Sequence, residues 1–296
     1  MNFVKPKMLK LGYKIGIIAP AGCVEDENGT LAAKKYFESL GYKIVLGKHI
    51  FNKNMYLAGT DEEKLEDLHN FFADDEIKAI FCLRGGYGCI RLINKINYDL
   101  IKNNPKLFAG YSDITALCTM FLKNTGLITY HAPMFASDFG IINPSTFTLE
   151  SFFEAFRQSG CKNIQAEKIY KQGNAEGILV GGNLSTLVSL CGIDFLPDEK
   201  FIFFAEDLNE PVYKIDRMFT QLMNIQKFRE NVQGIILGDF LDVDNEDWLN
   251  NLFNELAEKL NAPVLGGFKI THDKDKITLP VGTNAKIKNN ILSFDY

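Results

Sequence analysis

Short apolar runs alternate with segments of helical period through the first half of the chain. Lys14-Ile-Gly-Ile-Ile-Ala19 is apolar without a polar face and is closed by Pro20, Ala21 and Gly22. That pattern predicts a buried strand followed by a loop. Residues 30–40 read as a helix stopped by Gly41, and Tyr42 to Leu46 as a second strand. Thr60 to Phe72 predicts another helix, because Thr60-Asp-Glu-Glu63 has the spacing of a capping box. Lys78-Ala-Ile-Phe-Cys-Leu83 predicts a third strand that runs into Arg84-Gly-Gly-Tyr-Gly88. Leu107-Phe-Ala109 predicts a fourth, and beyond Gly110 the residues Ile114, Leu117, Cys118 and Phe121 recur at helical spacing. Leu127-Ile-Thr-Tyr130 follows as a fifth. Strand alternating with helix predicts a doubly wound, mostly parallel α/β domain over residues 1–158, with its sites at the carboxyl ends of the strands.

Between Ser159 and Gly177 the pattern weakens into a stretch rich in Lys, Gln, Asn and Gly, which reads as a linker over 159–176. Gly177-Ile-Leu-Val180 and Phe201-Ile-Phe-Phe-Ala205 then predict strands, as does Val232 to Leu237. Helices are expected from Asn183 to Cys191, Pro211 to Ile225 and Glu246 to Leu260, with short strands over 277–294. Residues 177–296 therefore read as a second, smaller α/β domain.

Length and charge add limits. At 296 residues, two domains are expected. The net charge of −5, spread among interspersed acids and bases, argues against a nucleic-acid partner. No apolar run reaches the length of a membrane span, and the first ten residues lack a signal-peptide core, so a cytoplasmic protein is expected. The cysteines at 23, 82, 89, 118, 161 and 191 are scattered. That spacing suits reduced thiols and offers no zinc site, and no metal or cofactor is expected.

Gly110-Tyr-Ser-Asp113 places Ser112 at a sharp strand-to-helix turn, where a serine hydroxyl and the following N–H can face a substrate. The same Ser-Asp order also reads as an ordinary helix N-cap. A serine nucleophile needs a base, and the base needs an orienting group. Among four histidines, His69 reads as surface and His49 lacks context, while spacing favours His131 and His272 equally. Glu206 and Asp207 are the candidate carboxylates; on a strand they face opposite ways, so only one enters a given cleft. Arg84-Gly-Gly-Tyr-Gly88 is not a dinucleotide fingerprint, but its glycines can offer a bare N–H to an oxyanion. Gly181-Gly-Asn183 has the same two readings, donor loop or simple turn. The elbow lacks the second glycine of the α/β-hydrolase pattern, because Ile114 stands there.

In number and order, these segments resemble the LD-carboxypeptidase family of bacterial serine peptidases, which includes the microcin C resistance proteins. The likeness runs through Ile15-Gly-Ile-Ile-Ala-Pro-Ala-Gly22, Arg84 to Gly88, Gly110 to Leu117, Gly181 to Leu184, Glu206-Asp207, Tyr213 to Arg217 and Thr278 to Gly282. It implies a Ser112–His272–Glu206 triad shared between two domains, with the N–H groups of Gly86 and Asp113 as oxyanion donors. Where that family has glycine before its histidine, this chain has Thr271. The resemblance further implies a murein peptide substrate losing its terminal D-alanine, and a homodimer. Arg84 is a candidate for the terminal carboxylate, and equally for a structural ion pair. Two alternatives stay open: a microcin C-type hydrolase of peptidyl-adenylates, and a catalytically silent peptide-binding protein.

Overall fold

The computed structural model describes residues 2–296. The first half contains β1 (Lys14–Ile18), α1 (Asn28–Ser39), β2 (Lys43–Leu46), α2 (Asp61–Ala73) and β3 (Ile77–Cys82). It continues through α3 (Tyr98–Asn103), β4 (Leu107–Gly110), α4 (Thr115–Thr125), β5 (Thr129–His131), α5 (Phe135–Phe139) and α6 (Thr146–Arg157). Local chemistry sets the ends of these elements. The Thr60 hydroxyl accepts the Glu63 N–H at 3.2 Å while Glu63 accepts the Thr60 N–H at 2.8 Å, so the capping box forms as expected. Gly41, just past α1, has φ +90°, which glycine adopts without strain.

The five strands pair in parallel in the order β2-β1-β3-β4-β5. Successive connections run to opposite sides of β1, so a crevice opens beyond the carboxyl ends of β1 and β3. Behind it, Phe37, Phe81, Phe135, Phe152 and Phe156 are fully buried against one another. Each such side chain contributes about 2–3 kcal/mol by leaving water.

The second half holds β6 (Cys161–Gln165), β7 (Lys168–Lys171), β8 (Ala175–Asn183), α7 (Leu184–Ser189), β9 (Phe201–Leu208), α8 (Val212–Asn224) and α9 (Gln226–Asn231). After these come β10 (Val232–Leu241), α10 (Glu246–Lys259), β11 (Val264–Gly266), β12 (Leu279–Val281), β13 (Asn284–Lys288) and β14 (Ile291–Asp295). Eight strands form its sheet, ordered β6-β14-β13-β8-β9-β10-β11-β7 around a parallel centre.

Two segments differ from expectation. The stretch read as a linker forms β6 and β7, which pair with β14 and β11 at the two edges of the second sheet. Edge strands are half solvated, so theirs is a polar sequence without a long apolar run. Residues 279–281 return to the first sheet, where β12 pairs antiparallel with β5. Pro280 fits there because an edge strand does not need every N–H.

The two halves meet closely where β8 ends. Gly182 lies so near Thr115 that a side chain would collide, and the Asn183 N–H donates to the Thr115 hydroxyl at 3.1 Å. Gly181-Gly-Asn183 is thus neither donor loop nor simple turn; it is the close approach of one domain to the other.

Candidate active site

Ser112 takes its geometry from crowding at the end of β4. A side chain on Gly110 would meet Ile114 and Cys82, so the chain turns where only glycine fits. Ser112 follows with φ +56°, the left-handed region, and one tight turn over Ser112–Ile114 leads into α4. A non-glycine residue there costs on the order of 1 kcal/mol or more and persists only where its surroundings hold it. No side chain caps this turn or α4, so the N-cap reading of Ser112 is corrected. The hydroxyl is left facing a cleft.

Asp113 braces the turn. Its buried carboxylate accepts the Cys89 N–H at 2.8 Å, tying the segment after β3 to the segment after β4. Burial pushes this carboxyl up, opposed by the Cys89 donors and by Lys64. Gly85 passes so close that a Cβ on it would lie 2.9 Å from Ser112 Oγ. Gly86 has φ +112°, and the Gly85 carbonyl accepts the Gly22 N–H at 3.1 Å. Among the described residues, the N–H groups of Gly86 and Asp113 have no acceptor.

His272 lines the same cleft as Ser112. Its Nδ1 lies 2.7 Å from Glu206 Oε2, and the Glu206 side chain is wholly buried at the end of β9. Burial pushes the Glu206 carboxyl up and the neighbouring imidazole pulls it back. With Glu206 ionised, Nδ1 carries the proton and Nε2 keeps its lone pair. The Tyr111 ring lies edge-on to the imidazole at 4.9 Å. Thr271 does not displace this histidine: it is buried, and its hydroxyl accepts the Asp273 N–H at 3.0 Å, closing the turn.

Asp207 and His131 have other work. Asp207, on the opposite face of β9, accepts the Ser185 N–H at 2.8 Å and an Asn183 amide N–H at 2.9 Å, fixing the start of α7. His131 is enclosed between β4 and β12 against Tyr111 and Phe204, and it does not line the cleft. Burial, with His272 and Lys276 nearby, pulls its imidazole down to about 3. A histidine kept neutral in the fold contributes fully above its unfolded value near 6.5, and that contribution is lost as pH falls toward about 3. The drop amounts to about 5 kcal/mol at most. His131→Gln should therefore flatten the stability–pH curve between pH of about 6 and 4, measured by urea unfolding. Equal slopes in the two proteins would remove His131 from acid unfolding.

The cleft has a volume of about 560 Å³ and is lined by Val24, Glu25, Arg84, Gly86, Tyr111, Ser112 and His272 among others. That lies within the usual range for small-molecule sites. Arg84 donates to the Cys23 carbonyl at 2.7 Å and has no carboxylate partner among the described residues, so the ion-pair reading of this arginine falls away. The described residues include no cluster of His, Cys, Asp or Glu placed to hold a metal ion. Among them, too, no helix is long and apolar enough to cross a membrane. Tyr111 was missed from sequence, although its place beside Ser112 was a signal. Lys276, packed behind it, gave none, since it stands in the polar run His272-Asp-Lys-Asp-Lys276; its partner Asp138 is the one acid in the largely apolar stretch Phe135 to Ile142.

Residues 15–132 match the LD-carboxypeptidase N-terminal domain, and residues 176–287 match the LD-carboxypeptidase C-terminal domain. The chain is 39% identical to a probable murein peptide carboxypeptidase of Bacillus subtilis, over 95% of this chain and 90% of that one. A muramoyltetrapeptide carboxypeptidase from Oxalobacter formigenes superposes with a TM-score of 0.87 at 30% identity, covering 95% and 98% of the two chains. An MccF-like protein from Bacillus anthracis superposes with a TM-score of 0.91 at 26% identity, covering 98% and 99%.

Proposed function

Since the chain belongs to the LD-carboxypeptidase family, we propose that it is a serine carboxypeptidase releasing the terminal D-alanine from murein tetrapeptides. The observation that carries the reading is His272 held by buried Glu206 in the cleft that exposes the strained Ser112. Ser112 Oγ attacks the carbonyl carbon of the scissile bond, and its proton passes to His272 Nε2. Glu206 stabilises the imidazolium so formed. The N–H groups of Gly86 and Asp113 receive the oxyanion, which is why two donors without acceptors matter. The C–N bond then breaks, and His272 returns the proton to the departing amine. Water, deprotonated by His272, attacks the acyl-enzyme and restores Ser112.

Arg84 supplies the carboxylate ligand in this reading, with its guanidinium held by the Cys23 carbonyl and free of an internal anion. A lost charged hydrogen bond costs about 1.5–3 kcal/mol, so amidating the terminal D-alanine should lower kcat/KM by about 10- to 100-fold. In Arg84→Met the difference between acid and amide should vanish. Mass spectrometry of products from both peptides reads the result, and equal wild-type rates on the two would reject carboxypeptidase specificity.

The MccF-like relative keeps a peptidyl-adenylate reading in view, and that reading calls for an aromatic ring to stack on a base. Trp248, the sole tryptophan, stands 61% exposed on α10 and does not line the cleft. Among the described residues, the only Phe, Tyr or Trp along the cleft is Tyr111, already packed against two histidines. This favours the murein peptide. A silent binding protein is disfavoured by the intact His272–Glu206 contact. The homodimer and the cytoplasmic setting belong to the same proposal, and light scattering tests the former.

A further inference from the structure

The segment carrying His272 also carries a buried cation that the reaction above does not use. The Lys276 side chain is only 5% exposed, and its Nζ pairs with Asp138 of α5, whose side chain is 10% exposed. The other oxygen of Asp138 accepts the Met134 N–H at 2.7 Å, so the carboxylate is fixed on both sides. Lys276 Nζ also lies 5.0 Å from the centroid of the Tyr111 ring. That ring is buried, immediately precedes Ser112, and meets the His272 imidazole edge-on at 4.9 Å. The segment itself is stapled to α6, where Thr148 accepts the Lys276 N–H at 2.9 Å and Ser151 accepts the Thr278 N–H at 2.9 Å.

These contacts join three pieces of chain far apart in sequence: the turn of the nucleophile, the loop of the base, and α5. A lysine is seldom buried without a specific partner, and here the partner lies across the domain boundary. The face of the tyrosine ring attracts the ammonium, and the same ring packs T-shaped against the imidazole.

We propose that the Lys276–Asp138 pair is a positioning device that clamps the Tyr111 ring and so sets His272 against Ser112 across the domain joint. The inference rests on the triad reading above. Neither residue touches substrate; both act through Tyr111. A purely structural staple would lower stability and leave turnover per folded molecule alone. A positioning device lowers kcat with little change in KM, because neither Lys276 nor Asp138 lines the cleft.

The test compares Lys276→Met, Lys276→Arg and the double variant Lys276→Met with Asp138→Asn. Only folded protein is counted, by near-ultraviolet circular dichroism. The single Met variant leaves a buried carboxylate unpaired and is the one at risk of unfolding. The double variant removes both charges while the amide oxygen introduced by Asp138→Asn can still accept the Met134 N–H, so it decides the question if the single one fails. Misplacement near 1 Å costs about 10²-fold. The double variant should lose about that much in kcat and in the rate at which a fluorophosphonate labels Ser112, with KM within about twofold of wild type. Lys276→Arg keeps the charge and should retain most of both rates. A folded double variant with wild-type kcat and labelling overturns the positioning role while leaving the triad standing. A wild-type protein that is never labelled at Ser112 takes down both readings.

Discussion

Ser112→Ala should abolish D-alanine release, with kcat falling by about 10⁶-fold, as when the nucleophile of a serine protease triad is removed. The fold should barely respond. Ser112 Oγ makes no capping bond and faces the cleft, so alanine leaves no buried group unpaired. The backbone adds a second readout. Because Ser112 sits at φ +56°, Ser112→Gly removes the nucleophile and the strain together. Relief of about 1 kcal/mol should raise the unfolding midpoint by about 2 °C relative to the alanine variant. An inactive but more stable glycine variant is the signature of strain held for function. Differential scanning calorimetry and product mass spectrometry measure both arms. If turnover in Ser112→Ala stays within about tenfold of wild type, another group is the nucleophile.

The second large effect separates the histidines. His272→Ala should match Ser112→Ala, and combining the two should cost little more than either alone, since members of a triad act as a unit. Glu206→Gln should cost about 10⁴-fold, because an amide beside Nδ1 favours the wrong tautomer and cannot stabilise an imidazolium. His131→Gln should instead keep most of the turnover of the folded protein. Its ring is enclosed against Tyr111 and Phe204 and does not reach the cleft. Steady-state rates on one tetrapeptide, with urea unfolding for each variant, decide the ranking. A His131 variant crippled in kcat beside an active His272 variant would move the base to β5.

Much of this was legible in one dimension because it rests on local chemistry. The capping box at Thr60, the stop at Gly41 and the apolar runs of β1, β3, β4 and β9 lie where short-range patterning expects them. The stretch after Ser159 was misread for an equally physical reason. Edge strands such as β6 and β7 need not be apolar, and only their neighbours make them strands. The return of β12 to the first sheet was invisible too, since pairing between segments so far apart in the chain leaves no local trace.

Sequence alone determined the cast: a serine at a sharp turn, two adjacent carboxylates of which one was needed, glycines after strands, and a doubly wound framework. It left three choices open that packing then resolved. Whether Ser112 caps a helix or faces a cleft depends on a backbone angle that crowding around Gly110 imposes. Which carboxylate serves His272 depends on the face of β9 that meets the other domain: Glu206 points there, and Asp207 is taken up by α7. Which histidine stands in the cleft depends on the pairing of β5 with β12, which closes over His131 and leaves His272 beside Ser112. Residue type and spacing are properties of the chain, whereas burial and the meeting of distant side chains arise only when two sheets close on one another.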